Sequence, residues 1–576
     1  MSLRKYLPAL DWLPNYRREW LRGDLSAGLT VGVMLIPQGM AYAMLAGLPP
    51  IHGLYAVTLP LFVYAILGTS RQLAVGPVAM VSLLTAASIS AIPGIDQETF
   101  ISLAIVLSLM VGLIQLGLGL FRLGFLVNLL SHPVVSGFTS AAALIIGLSQ
   151  LKHLLGIDLE RSHLVHEVVL SALERFDEAN WYTLAVGFVG IALIIGVKKI
   201  NRAIPGPLLA VVFGILSVLL IGLESQGVKI VGSVPSGLPS LSIPTFSWEQ
   251  IQILIPAALT ISLVGFMESI AVAKAIQKRH RDYEVIPNQE LIALGTANLA
   301  GSLIQAYPVT GGFSRTAVND QAGAKTGMAS IISAALIVLT LLFLTPLFCS
   351  LPKAILASVI MVAVFGLIDL KEAKHLWKTD RSDFWMLAVT FTATLTLGIE
   401  QGIGVGVILS IGVHIYRSMQ PHVAILGRIR GTNEFRNVNR FTDAEEIPGI
   451  LTIRFDGQLY FANLAYFQSH LSDLAEKRRP DLNTIVINAE GISYIDSSAM
   501  HEIKTFITNQ QSKGTRIVFA GLIGPVRDVF RRNGIFALVG EHNFYLRVNE
   551  AINAVTHKLS VHKVHDYALQ TDCLVH

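Results

Sequence analysis

Residues 307–319 read YPVTGGFSRTAVN, and this stretch places Ser314 and Arg315 inside sequence that is otherwise too apolar to be soluble. Paired glycines at Gly311 and Gly312, following Pro308, predict a backbone that stays irregular and then turns into a helix near Phe313. A guanidinium at that depth needs a partner or a function. The expectation is that this helix start holds an anion at the membrane midplane, because the amides of a helix N-terminus favour negative charge.

The rest of the chain sets the environment. Of its 576 residues, 52% are hydrophobic and 14% charged, and mean hydropathy is +0.59. These values identify a polytopic α-helical membrane protein. The formal net charge of +4 is small for this length and its basic residues are sorted by membrane side, which argues against a nucleic-acid partner. Cys349 and Cys573 suggest neither a disulfide framework nor a zinc site. No signal peptide is read at the start, and residues 1–23, with the basic and aromatic run RKYLPALDWLPNYRREWLR, read as a cytoplasmic interfacial segment.

About fourteen apolar segments follow within 24–425, beginning near residues 24, 52, 77, 99, 129, 181, 206, 253, 288, 313, 328, 352, 383 and 401. An even number places both termini on one side. With the N-terminus cytoplasmic, the inner loops carry Arg71, Arg122, Lys198, Lys199, Arg202, Lys274, Lys278, Arg279, Arg281, Lys371, Lys374, Lys378 and Arg381. Segments 93–98, 303–312 and 399–402 have no Lys or Arg, so the positive-inside rule holds loop after loop.

Two spans are abnormal in corresponding places. The third opens with AVGPVAMVSLL and the tenth with YPVTGGFSRTAV, each a Gly/Pro break before a short apolar run, giving half-helices near 77–90 and 313–325. Interrupted segments seven spans apart point to an inverted-repeat transporter whose half-helix N-termini face a midplane site. The first span is also interrupted, at Pro37 in MLIPQGMAYAML, which frees Gln38 and Tyr42 to line a cavity or, equally, to satisfy and pack the broken helix.

Glu268 lies well inside the eighth span, in LTISLVGFMESIAVAKAI. An ionisable residue there costs roughly 2.5 to 3.5 kcal/mol to insert, and pairing with Arg315 about 4 Å away would largely offset both burials. That pair alone could be structural. The functional alternative is that a protonated Glu268 leaves Arg315 and two helix ends free for a divalent oxyanion, so that proton and anion bind together. Thr310 and Ser314 are candidate caps of the tenth helix. His52 reads as a solvated histidine at a membrane edge, and Asp24 as an acid favouring the N-terminus of the first span. No catalytic triad, metal-ligand spacing or nucleotide loop appears, so the chain reads as a non-enzyme without cofactor.

Beyond the spans, 426–446 reads as a linker and 447–559 as a soluble α/β domain, with strands in LTIRFDGQLYF, TIVINAE, ISYID and TRIVFAGL and helices near 463–477 and 498–511. In YIDSSAMHEI the group Asp496, Ser497 and Ser498 reads as an N-cap, or as a phosphorylation switch at a helix start. Residues 560–576 form an unassigned tail.

Five blocks agree in order with one known family: IPQGMAYAMLAGLPP, PIHGLYAVTLPLFVYAILGTSR, AVGPVAMVSLL, GFMESIAVAKAI and GGFSRTAVND. By these the chain resembles the SulP family of sulfate permeases and anion exchangers over nearly its whole length, and its soluble domain is similar to STAS domains. His52 stands where the family usually has tyrosine, and Val57 where it has a small residue. The resemblance implies seven plus seven spans, a core domain moving against a gate domain in elevator fashion, and a homodimer. It also implies substrate contacts at Gln38, Tyr42, Val78, Ala79, Glu268, Phe313, Ser314 and Arg315, and it aligns Ser497 with a phosphorylatable position, where a regulatory partner would act.

Sodium-coupled bicarbonate members carry an aspartate in the eighth span with a threonine one turn later, whereas here Glu268 is followed by Val272. Valine removes an oxygen ligand that a hard cation needs, which favours a proton over sodium. The expectation is a proton-coupled sulfate symporter in the cytoplasmic membrane. The alternatives are a sodium-coupled bicarbonate carrier, a proton-coupled dicarboxylate carrier, an anion channel or exchanger with a regulatory STAS domain, and a membrane-anchored signalling scaffold.

Overall fold

The computed structural model describes residues 7–92, 94–125, 131–157, 165–200, 205–232, 234–244, 247–280 and 282–556. Arg202, Arg281, Cys573 and the tail 560–576 lie outside them. Nine helices among the described residues are long and apolar enough to cross a membrane. The remaining spans are shorter or broken, and with them fourteen helical segments stand where the apolar pattern put them. In the first half these are Arg18–Leu45, Pro50–Leu67, Ala79–Ser90, Gln97–Leu120, His132–Ser149, Trp181–Ile200 and Gly206–Ile221. In the second they are Trp248–Gln277, Pro287–Ser302, Phe313–Gln321, Met328–Leu339, Lys353–Phe365, Arg381–Leu397 and Ile399–Met419. They are called the first to fourteenth spans below. An amphipathic helix, Leu370–Thr379, follows the twelfth.

Local chemistry starts these helices where they start. Asp96 caps the fourth by accepting from Thr99 N at 3.1 Å. Ser247 and Gln250 form a reciprocal capping box on the eighth. Small residues then let the helices touch. A Cβ on Gly53 would lie 1.9 Å from the Gly39 carbonyl oxygen, so the first and second spans meet backbone to backbone. Gly112 and Gly295 do the same for the fourth and ninth, where a Cβ on Gly295 would come within 2.5 Å of Leu116 N.

The packing repeats under exchange of each span with the one seven later. The first packs on the eleventh as the eighth packs on the fourth, and the second on the eleventh as the ninth on the fourth. Likewise the sixth packs on the twelfth as the thirteenth packs on the fifth. Two interlocked repeats therefore build one bundle from spans 1–4 and 8–11 and another from 5–7 and 12–14. At their centre, β1 (Val75–Gly76) and β2 (Thr310–Gly311) pair antiparallel, Val75 opposite Gly311 and Gly76 opposite Thr310.

Pro37 does not interrupt the first span, whose α-helix runs unbroken over Arg18–Leu45. Asp24 serves a later segment rather than its own helix end. Fully buried in the second turn of the first span, it accepts from Lys325 N at 2.6 Å, Thr326 N at 3.0 Å and Thr326 Oγ1 at 2.6 Å. Tyr16 donates to the same carboxylate at 3.1 Å, and burial together with that negative charge pushes its phenol up to about 12.

The chain divides into two compact units, Met1–Ser410 and Ile411–His576. The second unit is a seven-stranded sheet built from β3 (His422–Ile429), β4 (Phe435–Asn437), β5 (Ala444–Glu445), β6 (Ile450–Asp456), β7 (Thr484–Asn488), β8 (Arg516–Ala520) and β9 (Phe544–Tyr545). Strands run in the order β4-β3-β6-β7-β8-β9, with β5 on β3. Alternate side chains face opposite helical layers. Ile485, Ile487 and Phe519 pack with Phe467, Leu471 and Ile503, and Val486, Val518 and Ala520 with Ala551 and Ile552. Residues 426–446 are thus no linker. They hold the second half of β3, residues 426–429, which pairs with β4 and β5, and all of those two strands. In ISYID only Ile495 pairs, as an isolated bridge to Leu459.

Candidate functional site

The β1–β2 ladder brings two helix starts together. Val78 is the N-cap of the third span, with extended φ −129° and ψ 154°, and Ala79 is its first residue. Gly312 is the N-cap of the tenth, whose first three residues are Phe313, Ser314 and Arg315. Neither N-cap is filled by a side chain. The first amides of both helices lack intrahelical partners, and each end carries roughly half a positive charge. Five of the sequence-selected residues, Val78, Ala79, Phe313, Ser314 and Arg315, therefore occupy the cap or first turn of one of two half-helices joined by a shared ladder.

Arg315 is 2% exposed and lies against this junction. Its Nη1 donates to the Pro77 carbonyl at 2.5 Å, while Nε and Nη2 are buried without a partner. The guanidinium folds back over its own N-cap, since a Cβ on Gly312 would meet Nη2 at 2.7 Å and Cζ at 2.9 Å. A glycine is needed there to leave room for the side chain. Glu268 and Arg315 form no ion pair within 4.0 Å, so the direct pair expected to offset both burials is not made. Glu268 is instead an acid near enough to act electrostatically on the guanidinium without a bond to it. Gln38 and Tyr42 are buried on the first span, 5% and 7% exposed. Phe313 and Ser314 are exposed, so the junction is open on their side.

Hydroxyls lock the two lead-in segments in place. Ser82, four residues past Val78, bonds Tyr307 Oη at 3.1 Å. Thr316, four residues past Gly312, accepts from Ala74 N at 3.0 Å. Thr310 does not cap the tenth helix. It donates to the Gly265 carbonyl at 2.5 Å and shares a 2.7 Å hydrogen bond with Ser269, which itself accepts from Gly311 N at 2.7 Å. Gly265 and Ser269 sit one turn apart on the eighth span with Glu268 between them, so these bonds fix the height of Glu268 relative to the ladder. Asn298, fully buried on the ninth span, accepts from Val309 N at 2.8 Å and donates to Val309 O at 3.0 Å.

Ser269, Thr316 and Asn298 were missed in the sequence, and the only signal for them is a polar side chain within an apolar run. His52 is not solvated either: it is 6% exposed, with Nδ1 2.8 Å from the Gln305 carbonyl oxygen. Another missed acid, Glu290, is fully buried at the start of the ninth span. It accepts from Tyr64 Oη at 2.6 Å, Thr69 N at 2.7 Å, Thr69 Oγ1 at 2.6 Å and Ser70 N at 3.1 Å.

In the second unit, Asp496 is the N-cap of the Ser497–Ser512 helix and accepts from Ala499 N at 2.8 Å. Ser497 is exposed on the first turn.

The sulfate permease family profile matches residues 21–390, which contain the whole junction, and the STAS domain profile matches residues 442–551. The chain belongs to the sulfate permease family. The permease is 39% identical to the probable sulfate transporter 4.2 of Arabidopsis thaliana, over 96% of its own length and 83% of that relative. It is 34% identical to a probable sulfate transporter of Mycobacterium tuberculosis, over 96% and 99%. Among solved structures it resembles the murine solute carrier 26 family member A9 anion transporter in the inward-facing state, with a TM-score of 0.89 and 25% identity over 96% and 94% of the two chains. The transmembrane domain of a cyanobacterial bicarbonate transporter shares the fold at a TM-score of 0.59 and 24% identity, over 69% of the permease and 98% of that chain. The permease is therefore a seven-plus-seven membrane transporter with a C-terminal STAS domain, and not an enzyme.

Proposed function

We propose that this chain is a secondary active transporter that carries sulfate together with a proton across a cell membrane. The observation that carries the reading is the buried Arg315 guanidinium, with Nε and Nη2 unpartnered, at the junction of two uncapped half-helix N-termini. One guanidinium plus two helix ends supplies about two positive charges, which matches a divalent tetrahedral oxyanion. The amides of Ala79, Phe313 and Ser314 would hold anion oxygens, Arg315 would bind the same anion through its free nitrogens, and Gln38, Tyr42 and Val78 would wall the site.

Glu268 is the coupling group. Its carboxylate bears electrostatically on Arg315 without bonding to it. While ionised it competes with the anion for the guanidinium; once protonated it leaves the full positive field to the substrate, so loading requires both. Val272, one turn from Glu268, offers no oxygen for a sodium ion. The names of the plant and mycobacterial relatives favour sulfate over bicarbonate or dicarboxylates.

Substrate moves in elevator fashion. Spans 1–4 and 8–11 form the core that carries the junction, and it slides against the gate of spans 5–7 and 12–14. We place the permease in the inner membrane, as a homodimer with both termini cytoplasmic, in keeping with the basic loops. Ser497, exposed at a helix start, is where phosphorylation or a regulatory partner would act on the STAS domain.

The decisive experiment is labelled sulfate uptake into proteoliposomes under an inward proton gradient, an inward sodium gradient, or neither. Uptake should be driven by protons alone. Uptake driven by sodium and indifferent to pH overturns the coupling assignment, and proton-driven uptake of bicarbonate or a dicarboxylate in preference to sulfate overturns the substrate.

A further inference from the structure

The sixth and twelfth spans touch tightly over part of their length and then part. Ser358 Oγ donates to the Gly187 carbonyl at 2.7 Å. A Cβ on Gly190 would meet Ile355 Cδ1 at 2.9 Å and Ser358 Oγ at 3.0 Å. Beyond that glycine contact the spans diverge and leave a groove of about 570 Å³. One wall is a stripe on the sixth span, Ile191, Ile195 and Lys198 with Lys199 beside it, and the other is Met361 and Phe365 on the twelfth.

The stripe at positions i, i+4 and i+7 is a single helix face, so the groove follows the helix axis. Its interior is aliphatic and aromatic. Among the described residues its only charges are the two exposed lysines in the last turn of the sixth span. Ile195 and Phe365 are 42% and 52% exposed, which turns the groove outward from the bundle.

We propose that this groove is a binding site for one anionic phospholipid, with an acyl chain along Ile191, Ile195, Met361 and Phe365 and the headgroup phosphate on Lys198 and Lys199. The lining decides the occupant. An apolar floor runs for about 12 Å from 191 to 199 and ends at two ammonium groups, which matches one acyl chain joined to an anionic headgroup. A free phosphate would leave the apolar walls unused. A neutral lipid would satisfy the walls but not the paired ammonium groups. The chain also continues in the same sense: four residues past Gly366, the helix Leu370–Thr379 presents Lys371, Lys374 and Lys378 as an exposed stripe at positions i, i+3 and i+7. A short basic amphipathic helix of this kind lies at an anionic bilayer surface. None of these residues belongs to the Arg315 site, so the proposal stands apart from the transport reading.

The test is native mass spectrometry of the full-length protein in detergent, with phosphatidylglycerol, phosphatidylcholine or sodium phosphate added at equal concentration. One phosphatidylglycerol per chain should be retained over phosphatidylcholine by roughly tenfold or more, and inorganic phosphate should not displace it. Lys198→Gln with Lys199→Gln should reduce phosphatidylglycerol to the phosphatidylcholine level, and Ile195→Trp, which fills the groove and keeps both lysines, should lose that same bound lipid. Each variant is read only as a monodisperse peak on gel filtration. Undiminished phosphatidylglycerol in the lysine variant, equal retention of the two lipids, or displacement by inorganic phosphate overturns the proposal.

Discussion

Ser82 and Thr316 occupy the same place on two different half-helices, four residues past the N-cap, and each hydroxyl bonds the segment that leads into the other helix. The cross-bracing makes the two helix starts one object. Whatever binds at their junction meets amides whose positions are set before it arrives, which lowers the ordering cost of binding.

Arg315→Ala should leave the fold intact and remove the strongest anion contact. Two charge-assisted hydrogen bonds are worth about 3 kcal/mol or more together, so sulfate affinity should fall by about a hundredfold. Scintillation proximity binding of labelled sulfate measures this, and unchanged affinity would assign the arginine a purely structural role.

Glu268→Gln keeps the size of the side chain and removes its titration. Sulfate counterflow should persist within about threefold, while accumulation driven by a proton gradient should disappear. Full proton-driven accumulation in this variant excludes Glu268 from coupling.

Gly312→Ala tests the folded-back guanidinium without deleting it. The added methyl would sit 2.7 Å from Nη2 and must push the arginine aside. Sulfate affinity should drop by about tenfold or more, with an unchanged thermal midpoint, because only a side-chain end has to move.

Glu290→Ala should act on stability and not on substrate. It strips the acceptor from Tyr64, Thr69 and Ser70, at a cost of about 3 kcal/mol or more. The thermal midpoint in detergent should fall by several degrees, and the folded fraction should keep its sulfate KM.

Asp456 gives the STAS domain a pH-dependent element. Burial works against its charge, but Arg454 at 2.6 and 2.9 Å and His422 at 3.1 Å outweigh it and hold the carboxyl below its ordinary range. A depressed carboxyl contributes stability above its unfolded value near pH 4 and loses it as the pH falls through the folded value. Asp456→Asn should therefore lower the unfolding free energy of this domain at pH 7, by no more than about 1 kcal/mol for so solvated a group. The gap to wild type should close below about pH 4, as read by circular dichroism.

The sequence made the membrane part legible because its signals are local. Apolar runs mark spans, Gly76-Pro77 and Gly311-Gly312 mark the two breaks, and an arginine at such a break stands out without any knowledge of its neighbours. What stayed hidden depends on partners far along the chain. Glu290 answers to Tyr64, Thr69 and Ser70 more than two hundred residues earlier, and Asp24 answers to Lys325 and Thr326 three hundred residues later. Glu268 was visible as a charge, but the tie between its helix and the ladder runs through Ser269 and Thr310, whose hydroxyls look ordinary in the sequence. Strands β4 and β5 were hidden for another reason: at three and two residues they are too short to show alternation, and only pairing with β3 defines them.

The two-residue ladder between β1 and β2 also governs how this gene can change in length. A loop that merely joins two spans can gain residues at a small entropic cost. Between Val75 and Ala79, or between Thr310 and Phe313, a single inserted residue would offset the ladder and turn a different set of amides toward the guanidinium. These few positions are where an insertion or deletion would be least tolerated in the membrane unit, even though nothing in their composition forbids a longer turn.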